Sequence, residues 1–297
     1  MNAEPMYLHY FTSDKTFPFF IQYGHHDSDG KMHYHADFYE LMIVLDGTSM
    51  QQVNNKTYYI KRGDVFVFGE GVSHNFTDVH DLHICNILFQ PSFAFDRYND
   101  LGKLPGYHKL FKIEPYLSQN DKYQHFLKLN FEEFENVKSI ITVLYKEYNT
   151  MTPGRHTTVT ALFQILITYL SRCCNEKTTA TNNNAEFKIA QSVSYMEKNF
   201  KTDISTKKLA AISFMSERHF LRLFLEVYHI TPHRYLINLR LQYACSLLEN
   251  PHNKLSISDI SIESGFQSSN YFSRMFKQTY GISPKDFRVK EQVFLYQ

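Results

Sequence analysis

The chain has no tryptophan and only four cysteines among its 297 residues. Cys85, Cys173, Cys174 and Cys245 form no CxxC pair, so no disulfide framework is indicated. The adjacent Cys173 and Cys174 admit a redox or metal-sensing reading, but two small apolar residues on a buried helix account for them as well. No run approaches the roughly eighteen uninterrupted apolar residues of a membrane span, and no secretory leader opens the chain. A cytoplasmic protein without membrane partners is expected. Charge of one sign is also lacking overall, the net being +1. That balance hides an asymmetry: residues 186–297 carry 15 Lys/Arg against 10 Asp/Glu, while the remainder carries 16 against 20. A modest basic excess in one half suits a surface that meets phosphates, with placement mattering as much as bulk charge.

The basic half contains one unit written twice. Shifting the sequence by about fifty positions superposes Phe220 on Phe272, Arg222 on Arg274, Phe224 on Phe276, Tyr228 on Tyr280 and Pro232 on Pro284. In each copy the apolar residues follow helical spacing, a serine cap precedes the helix (Ser216, Ser268), and a proline opens the next one. A shorter apolar helix stands upstream of each, Thr206–Ser213 and Ile257–Ser264. Gly265 supplies the turn in the second copy. Short helix, tight turn and capped helix make a helix-turn-helix. Its second helix is the one that enters a major groove with N-terminal side chains on base edges. Between the copies, Pro232–Asn250 reads as one helix roughly 27 Å long at 1.5 Å per residue. Major-groove faces on one side of B-DNA recur every ~34 Å, so one protomer has the reach to read twice.

Phe187–Lys290 resembles the DNA-binding domain of the AraC/XylS family of bacterial transcription regulators. The residues that carry the likeness include Lys208-Leu209-Ala210, the run Met215–Phe224, Gly265–Lys277, Tyr280-Gly281-Ile282-Ser283-Pro284 and Phe287-Arg288. The resemblance implies base reading by Arg218, Leu221 and Arg222 in the first copy. In the second it implies Ser269, Asn270, Ser273 and Arg274. Arg240, Lys277 and Lys285 are candidates for phosphate contact, a solvated helix face being the plainer account of each. Phe214 stands where the family has its turn glycine, so a distorted first turn is expected.

Residues 1–115 read as β-structure. Phe38–Leu45, Met50–Val53, Lys56–Ile60, Asp64–Phe68 and His83–Phe89 are short apolar or alternating runs, with Asn54-Asn55 as a hairpin turn. Such strands suit a sandwich or small barrel. Within them His33-x-His35-x4-Glu40-x6-Gly47 and Gly63-x5-Gly69-x-Gly71-x2-His74 resemble the two motifs of the cupin superfamily. A cupin-like barrel acting as a sensor is implied. His33 and His35 share one strand face by the period of two. In metal-binding cupins the positions of His33, His35, Glu40 and His74 hold an ion, and three imidazoles with a carboxylate suit Fe, Mn, Zn or Ni. Gly69 in place of proline and Asp78 in place of asparagine depart from the pattern. The same four side chains serve equally as hydrogen-bonding ligand contacts with no cofactor, and a polyhydroxylated effector such as a sugar suits them.

Helical spacing returns over residues 121–174, with a break at Thr152-Pro153-Gly154. These helices either pack on the barrel or, as the resemblance implies, make a homodimer interface, for which Phe131–Tyr148 is the candidate. The polar stretch 175–185 reads as a flexible tether. The expected fold is therefore α+β in two domains: a barrel over 1–115 with trailing helices over 116–174, then an all-α double helix-turn-helix over 186–297. The function expected is that of a ligand-responsive, sequence-specific regulator, not an enzyme, with double-stranded promoter DNA, a small effector and RNA polymerase as the expected partners. The rivals are a metal-dependent cupin dioxygenase or isomerase fused to a DNA-binding module, and a constitutive DNA-bending protein whose barrel only dimerises.

Overall fold

The computed structural model describes residues 3–14, 16–90, 93, 100–115, 127–179, 185–250 and 253–294. It divides into two compact units with the boundary between Ala190 and Gln191.

The first unit is built on two unusually long strands. β4 (Tyr39–Val53) and β7 (Ser73–Phe89) pair antiparallel from Tyr39 opposite Phe89 to Val53 opposite His74. The runs Phe38–Leu45, Met50–Val53 and His83–Phe89 are thus pieces of longer strands. Their length is possible because the ladder bends. Register slips between Val44 and Met50, where Asp78, Asp81 and Gly47 take left-handed φ of 52°, 47° and 74°. Such bulges bend a strand and increase its twist. Gly47 is required there, since a Cβ on it would lie 1.9 Å from the Asp81 carbonyl oxygen. β2 (Phe19–His26) and β3 (His33–His35) pair with different halves of β7. β5 (Lys56–Lys61) and β6 (Asp64–Phe68) do the same on β4. β1 (Glu4–Met6) lies parallel to β3, and β8 (Leu127–Lys128) extends β6. Among the described residues the sheet runs β1-β3-β7-β4-β6-β8 and its two ends do not pair, so it curls without closing.

Alternation sorts the two faces. Met42, Val44, Val53, Ile60, Phe66, Phe68, Phe76, Leu82 and Ile84 form one buried cluster, in which both halves of the bent ribbon meet. The opposite face, with Phe19, Ile21, Leu41, Ile43, Val65, Val67, Cys85 and Ile87, is covered by helices. α1 (Pro105–His108) runs on as a π-turn over Lys109–Ile113. This helical segment corrects the all-β expectation for residues 1–115, where the buried Tyr107, Leu110 and Phe111 are too close together to separate helix from strand by period. α2 (Phe131–Tyr148) starts at a reciprocal cap in which the Asn130 side chain accepts from Glu133 N and Glu133 accepts from Asn130 N. It buries Phe134, Val137, Ile141 and Leu144. α3 (Arg155–Thr179) buries Val159, Phe163, Leu166 and Leu170, together with Cys173 and Cys174 as free thiols. Helix continues to Thr179, so the irregular tether expected from Asn175 is shorter than its polar composition suggests; residues 180–184 lie outside the described residues.

The second unit is all helix among the described residues: α4 (Ala185–Asn199) from Gln191 onward, α5 (Thr206–Ile212), α6 (Glu217–Tyr228), α7 (Pro232–Glu249), α8 (Ile257–Glu263), α9 (Ser269–Tyr280) and α10 (Pro284–Phe294). Sequence placed α5 to α9 within a residue or two. α7 is shared by both copies of the repeat. Its first turn sets Tyr235 against Phe224 and Tyr228 of α6. Its later turns put Ile237, Leu241, Ala244, Cys245 and Leu248 into one core with Phe272 and Phe276 of α9.

The two turns are alike, which overturns the expected distortion at Phe214. Met215 N bonds to Ala210 O at 3.0 Å, just as Phe266 N bonds to Ser261 O at 3.0 Å. Phe214 achieves this by adopting φ 52° where Gly265 has 84°. Space explains why only one position needs glycine. A Cβ at Gly265 would lie 2.7 Å from the Lys201 Cα, whereas Phe214 points outward at 78% exposure. The copies do differ in length. After Phe266 the second inserts Gln267 before its cap at Ser268, while Met215 leads straight to the cap at Ser216. In urea unfolding of the full chain, Phe214→Gly should raise stability by about 1 kcal/mol through relief of the left-handed strain. Gly265→Ala should lower it by roughly 2 kcal/mol or more.

Candidate functional site

Strand order brings His33, His35, Glu40 and His74 together. β3 lies beside β7 with His33 directly opposite His74, and Glu40 enters from β4. One ligand atom from each of the four lies within 4.8 Å of the others. The Glu40 Oε2 atom is 3.2 Å from His35 Nε2 and 3.1 Å from His74 Nε2, and all three side chains are at most 5% exposed. Phe rings fix the imidazoles: His74 stacks on Phe68 at 4.1 Å and His35 on Phe38 at 4.4 Å. Carbonyls orient two of them further, since His33 Nδ1 faces Lys31 O at 3.0 Å and His74 Nδ1 faces Val72 O at 3.4 Å. Both then present Nε2 to the cluster. His35 Nδ1 is buried with no protein partner.

Burial and pairing pull against each other here. Burial alone would raise the Glu40 carboxyl, but the adjacent His35 and His74 ring nitrogens outweigh it and hold the group well below the usual carboxylate range. Burial lowers His74, with Glu40 opposing, and lowers His33 together with the neighbouring His74. The result is an ionised carboxylate anchored among three imidazoles, of which burial disfavours protonation of His33 and His74. Such a set can accept and donate hydrogen bonds to hydroxyl groups or ligate a divalent cation. His108, elsewhere in the unit, is pushed down to about 3 mainly by burial, although its Nε2 lies 2.7 Å from Gly102 O.

Sequence reading missed a concavity in this unit. A groove of about 840 Å³ runs between residues 11–14 and residues 148–157, lined by Asp14, Tyr148, Arg155 and His156 among others. His156 stacks on Phe17 at 4.0 Å and reaches Asp14 Oδ2 at 3.3 Å. No motif announces it, because its two walls, residues 11–14 and residues 148–157, are far apart in sequence. α2 also keeps an uncovered face, with Phe131 77% and Val143 53% exposed, and Ile165 of α3 is 52% exposed.

In the second unit, α6 and α9 anchor on Phe220, Phe224, Phe272 and Phe276, all fully buried. Helical period then turns the candidate readers the other way. Arg218, Leu221, Arg222, Asn270 and Arg274 are exposed, while Ser269 and Ser273 are half-buried. Ser216 and Ser268 cap the two helices by accepting from His219 N and Tyr271 N. Arg222 is steadied by Glu226 at 3.0 Å, and the Arg274 guanidinium lies 5.3 Å from the Tyr271 ring centroid. Lys277 and Lys285 are exposed. Arg240 departs from its expected role: its Nε and Nη2 donate to Phe200 O and Thr202 O at 2.7 and 2.8 Å. This staples the α4–α5 loop to α7 instead of leaving the group for phosphate.

Two domain families match the chain. The AraC-like ligand binding domain matches residues 18–136 and a helix-turn-helix domain matches residues 209–290. The HTH-type transcriptional activator RhaR of Escherichia coli (strain K12) is 27% identical over 252 residues, covering 85% of each chain. Among solved structures, an AraC-type DNA-binding regulator from Chromobacterium violaceum is 32% identical over 35% of this chain and 91% of that one, with a TM-score of 0.33. ToxT from Vibrio cholerae O395 covers 92% of this chain and 99% of its own at 15% identity, with a TM-score of 0.35.

The buried histidines make stability fall with acid. Histidines whose folded pKa is depressed stay neutral in the fold while the unfolded chain takes up protons below about 6.5. Stability contributed in this way is complete above that value and is lost as pH drops. His108, held near 3, should cost about 1.4 kcal/mol per pH unit below 6.5. Urea titrations of the full chain from pH 7.5 to 5 should show this slope, and His108→Asn should flatten it by that amount.

Proposed function

Because the chain belongs to the AraC/XylS family of DNA-binding transcription regulators, we propose that α6 and α9 read bases and that the His33, His35, Glu40 and His74 cluster receives the effector. The chain is a regulator that senses a small metabolite. The observation that carries the assignment of the reading helices is their shared construction. Each is a twelve-residue helix, serine-capped at one end and closed at the other by a left-handed residue, His229 or Gly281. Each turns an arginine outward at the same position, Arg222 and Arg274.

Arg222 and Arg274 address guanine O6 and N7 when bidentate. Arg218, Asn270 and Ser273 read neighbouring edges, Ser269 supports them at the helix start, and Leu221 offers an apolar contact to a thymine methyl group. Lys277 and Lys285 take phosphates and set register without carrying sequence information.

At the other end, the chemistry of the buried cluster favours a polyhydroxylated effector such as a sugar. Glu40 would accept hydroxyl hydrogens, and the imidazoles would donate or accept according to tautomer. The same donors fit a divalent transition metal in a cupin manner: three imidazole nitrogens and a carboxylate converge, and carbonyls hold the outer nitrogens of His33 and His74. When bound, such an ion would supply a Lewis-acidic anchor for the effector's oxygens. Effector binding shifts the balance between DNA-engaged arrangements by its differential affinity for them. The uncovered face of α2 and α3 supports a homodimer, and activation through contact with RNA polymerase in the cytoplasm completes the reading.

Arg274→Ala should cost roughly 1–3 kcal/mol on the DNA upstream of the chain's own gene and relax specificity at one base pair. Lys277→Ala should weaken cognate and random duplexes alike and reduce the salt slope by about one. Fluorescence anisotropy of the full chain on both duplexes measures each. Equal losses on both duplexes for Arg274→Ala would refute base reading by that side chain.

A further inference from the structure

A second histidine cluster lies on the other face of the sheet, and nothing in the regulator's mechanism uses it. Along β2 the odd positions Phe19 and Ile21 go under the helices, and Tyr23 meets Tyr145 of α2 at 4.6 Å between ring centroids. His25 continues this face beyond the helical cover. It stands directly opposite His83 on β7, and the two imidazoles stack at 4.2 Å with their planes 9° apart. Asp81 shares the face with His83 by the period of two. Its position is set by the left-handed bulge that Gly47 makes room for.

The contacts converge on very few atoms. Asp81 Oδ1 lies 2.9 Å from His25 Nε2 and 3.1 Å from His83 Nε2, and Asp27 Oδ1 lies 3.0 Å from that same His25 nitrogen. Two imidazoles thus send the same ring nitrogen to a single carboxylate oxygen, and one of them meets two carboxylates at once. Hydrogen bonding serves this poorly. A lone Nε2–H reaches two acceptors only in a weaker, bent three-centre arrangement, and charging both stacked rings would set like charges about 4 Å apart. A cation serves it well. At metal–ligand distances of about 2.0–2.2 Å, neighbouring ligand atoms of a tetrahedral site stand roughly 3.3–3.6 Å apart, so slight relaxation of these side chains admits an ion. All of them are at least 41% exposed, so the ion can enter and keep a water.

We propose that His25, His83 and Asp81 form a surface site for a divalent transition metal of the zinc class, with Asp27 beside His25. Imidazole with carboxylate is a ligand set for Zn²⁺, Co²⁺ or Ni²⁺ and not for Mg²⁺ or Ca²⁺, which demand oxygen. Bound there, the ion ties the end of β2 to the bulged centre of β7. The site is separate from the buried cluster, whose residues lie on the other face of the sheet.

The test uses the full chain, stripped with a chelator and titrated with ZnCl₂ by calorimetry at pH 7.5. Co²⁺ absorption in the visible reports the coordination geometry. A Zn²⁺ ion should bind with a Kd in the micromolar range. That event should persist in Glu40→Gln, which disables the buried cluster, and weaken by about tenfold or more in the double variant H25A/H83A, or ~1.4 kcal/mol. Asp81→Asn, which keeps the side-chain shape, should weaken it in the same direction and guards against misfolding of the double variant. The proposal is overturned if Zn²⁺ fails to bind, if H25A/H83A and Asp81→Asn both bind as tightly as the parent, or if Glu40→Gln alone abolishes binding.

Discussion

The pairing of β4 with β7 is the constraint on which the first unit rests. Every other strand except β1 and β8 hydrogen-bonds to one of these two, and the cluster of His33, His35, Glu40 and His74 exists because β3 and β4 are both tied to β7. A straight ladder of fifteen to seventeen residues could not bury both of its ends in one core. The bulges at Gly47, Asp78 and Asp81 bend it, so that Val53 and Phe76 from one end join Met42 and Ile84 from the other. A local backbone conformation thereby decides where a distant polar cluster sits, and the same bend aims Asp81 at the histidines on the opposite face.

Much of this was legible in the sequence, unevenly so. The second unit was nearly transparent, because each of its helices carries its own punctuation. Ser216, Thr231 and Ser268 are caps, Pro232 and Pro284 are helix starts, and the apolar spacing is regular. The four polar residues of the buried cluster were also recognisable, since motif spacing survives whatever the strands do between the motif positions. Strand lengths were not, because Gly47 reads as a terminator when in fact β4 passes through it. The helix from Pro105 was hidden for a different reason: it is short, and its apolar residues are crowded. Arg240 illustrates a further limit, as exposure and partner choice for a long side chain depend on loops that sequence does not place.

The two turns show how the same geometry is reached under different constraints. Gly265 is held against the backbone of Lys201 and has no room for a side chain, while Phe214 takes the same left-handed conformation with its ring in solvent. Family patterns mark both positions as glycine, but only one of them is sterically compelled. The departure at Phe214 therefore leaves the presentation of α6 unchanged, and Met215 closes that turn with the hydrogen bond that Phe266 makes in the other.

The double contact of α7 also bears on how such a domain arises and how it can be cut. Since one end of this helix completes the aromatic cluster of the first copy and the rest of it supplies a wall for the second, neither copy owns a whole interior. The duplication visible in the amino-acid pattern is not a tandem of autonomous modules. A fragment ending before Pro232 would leave Phe224 and Tyr228 without Tyr235, and one beginning after Glu249 would strip Phe272 and Phe276 of their lining. What looks like two readers on a string is, mechanically, a single indivisible body.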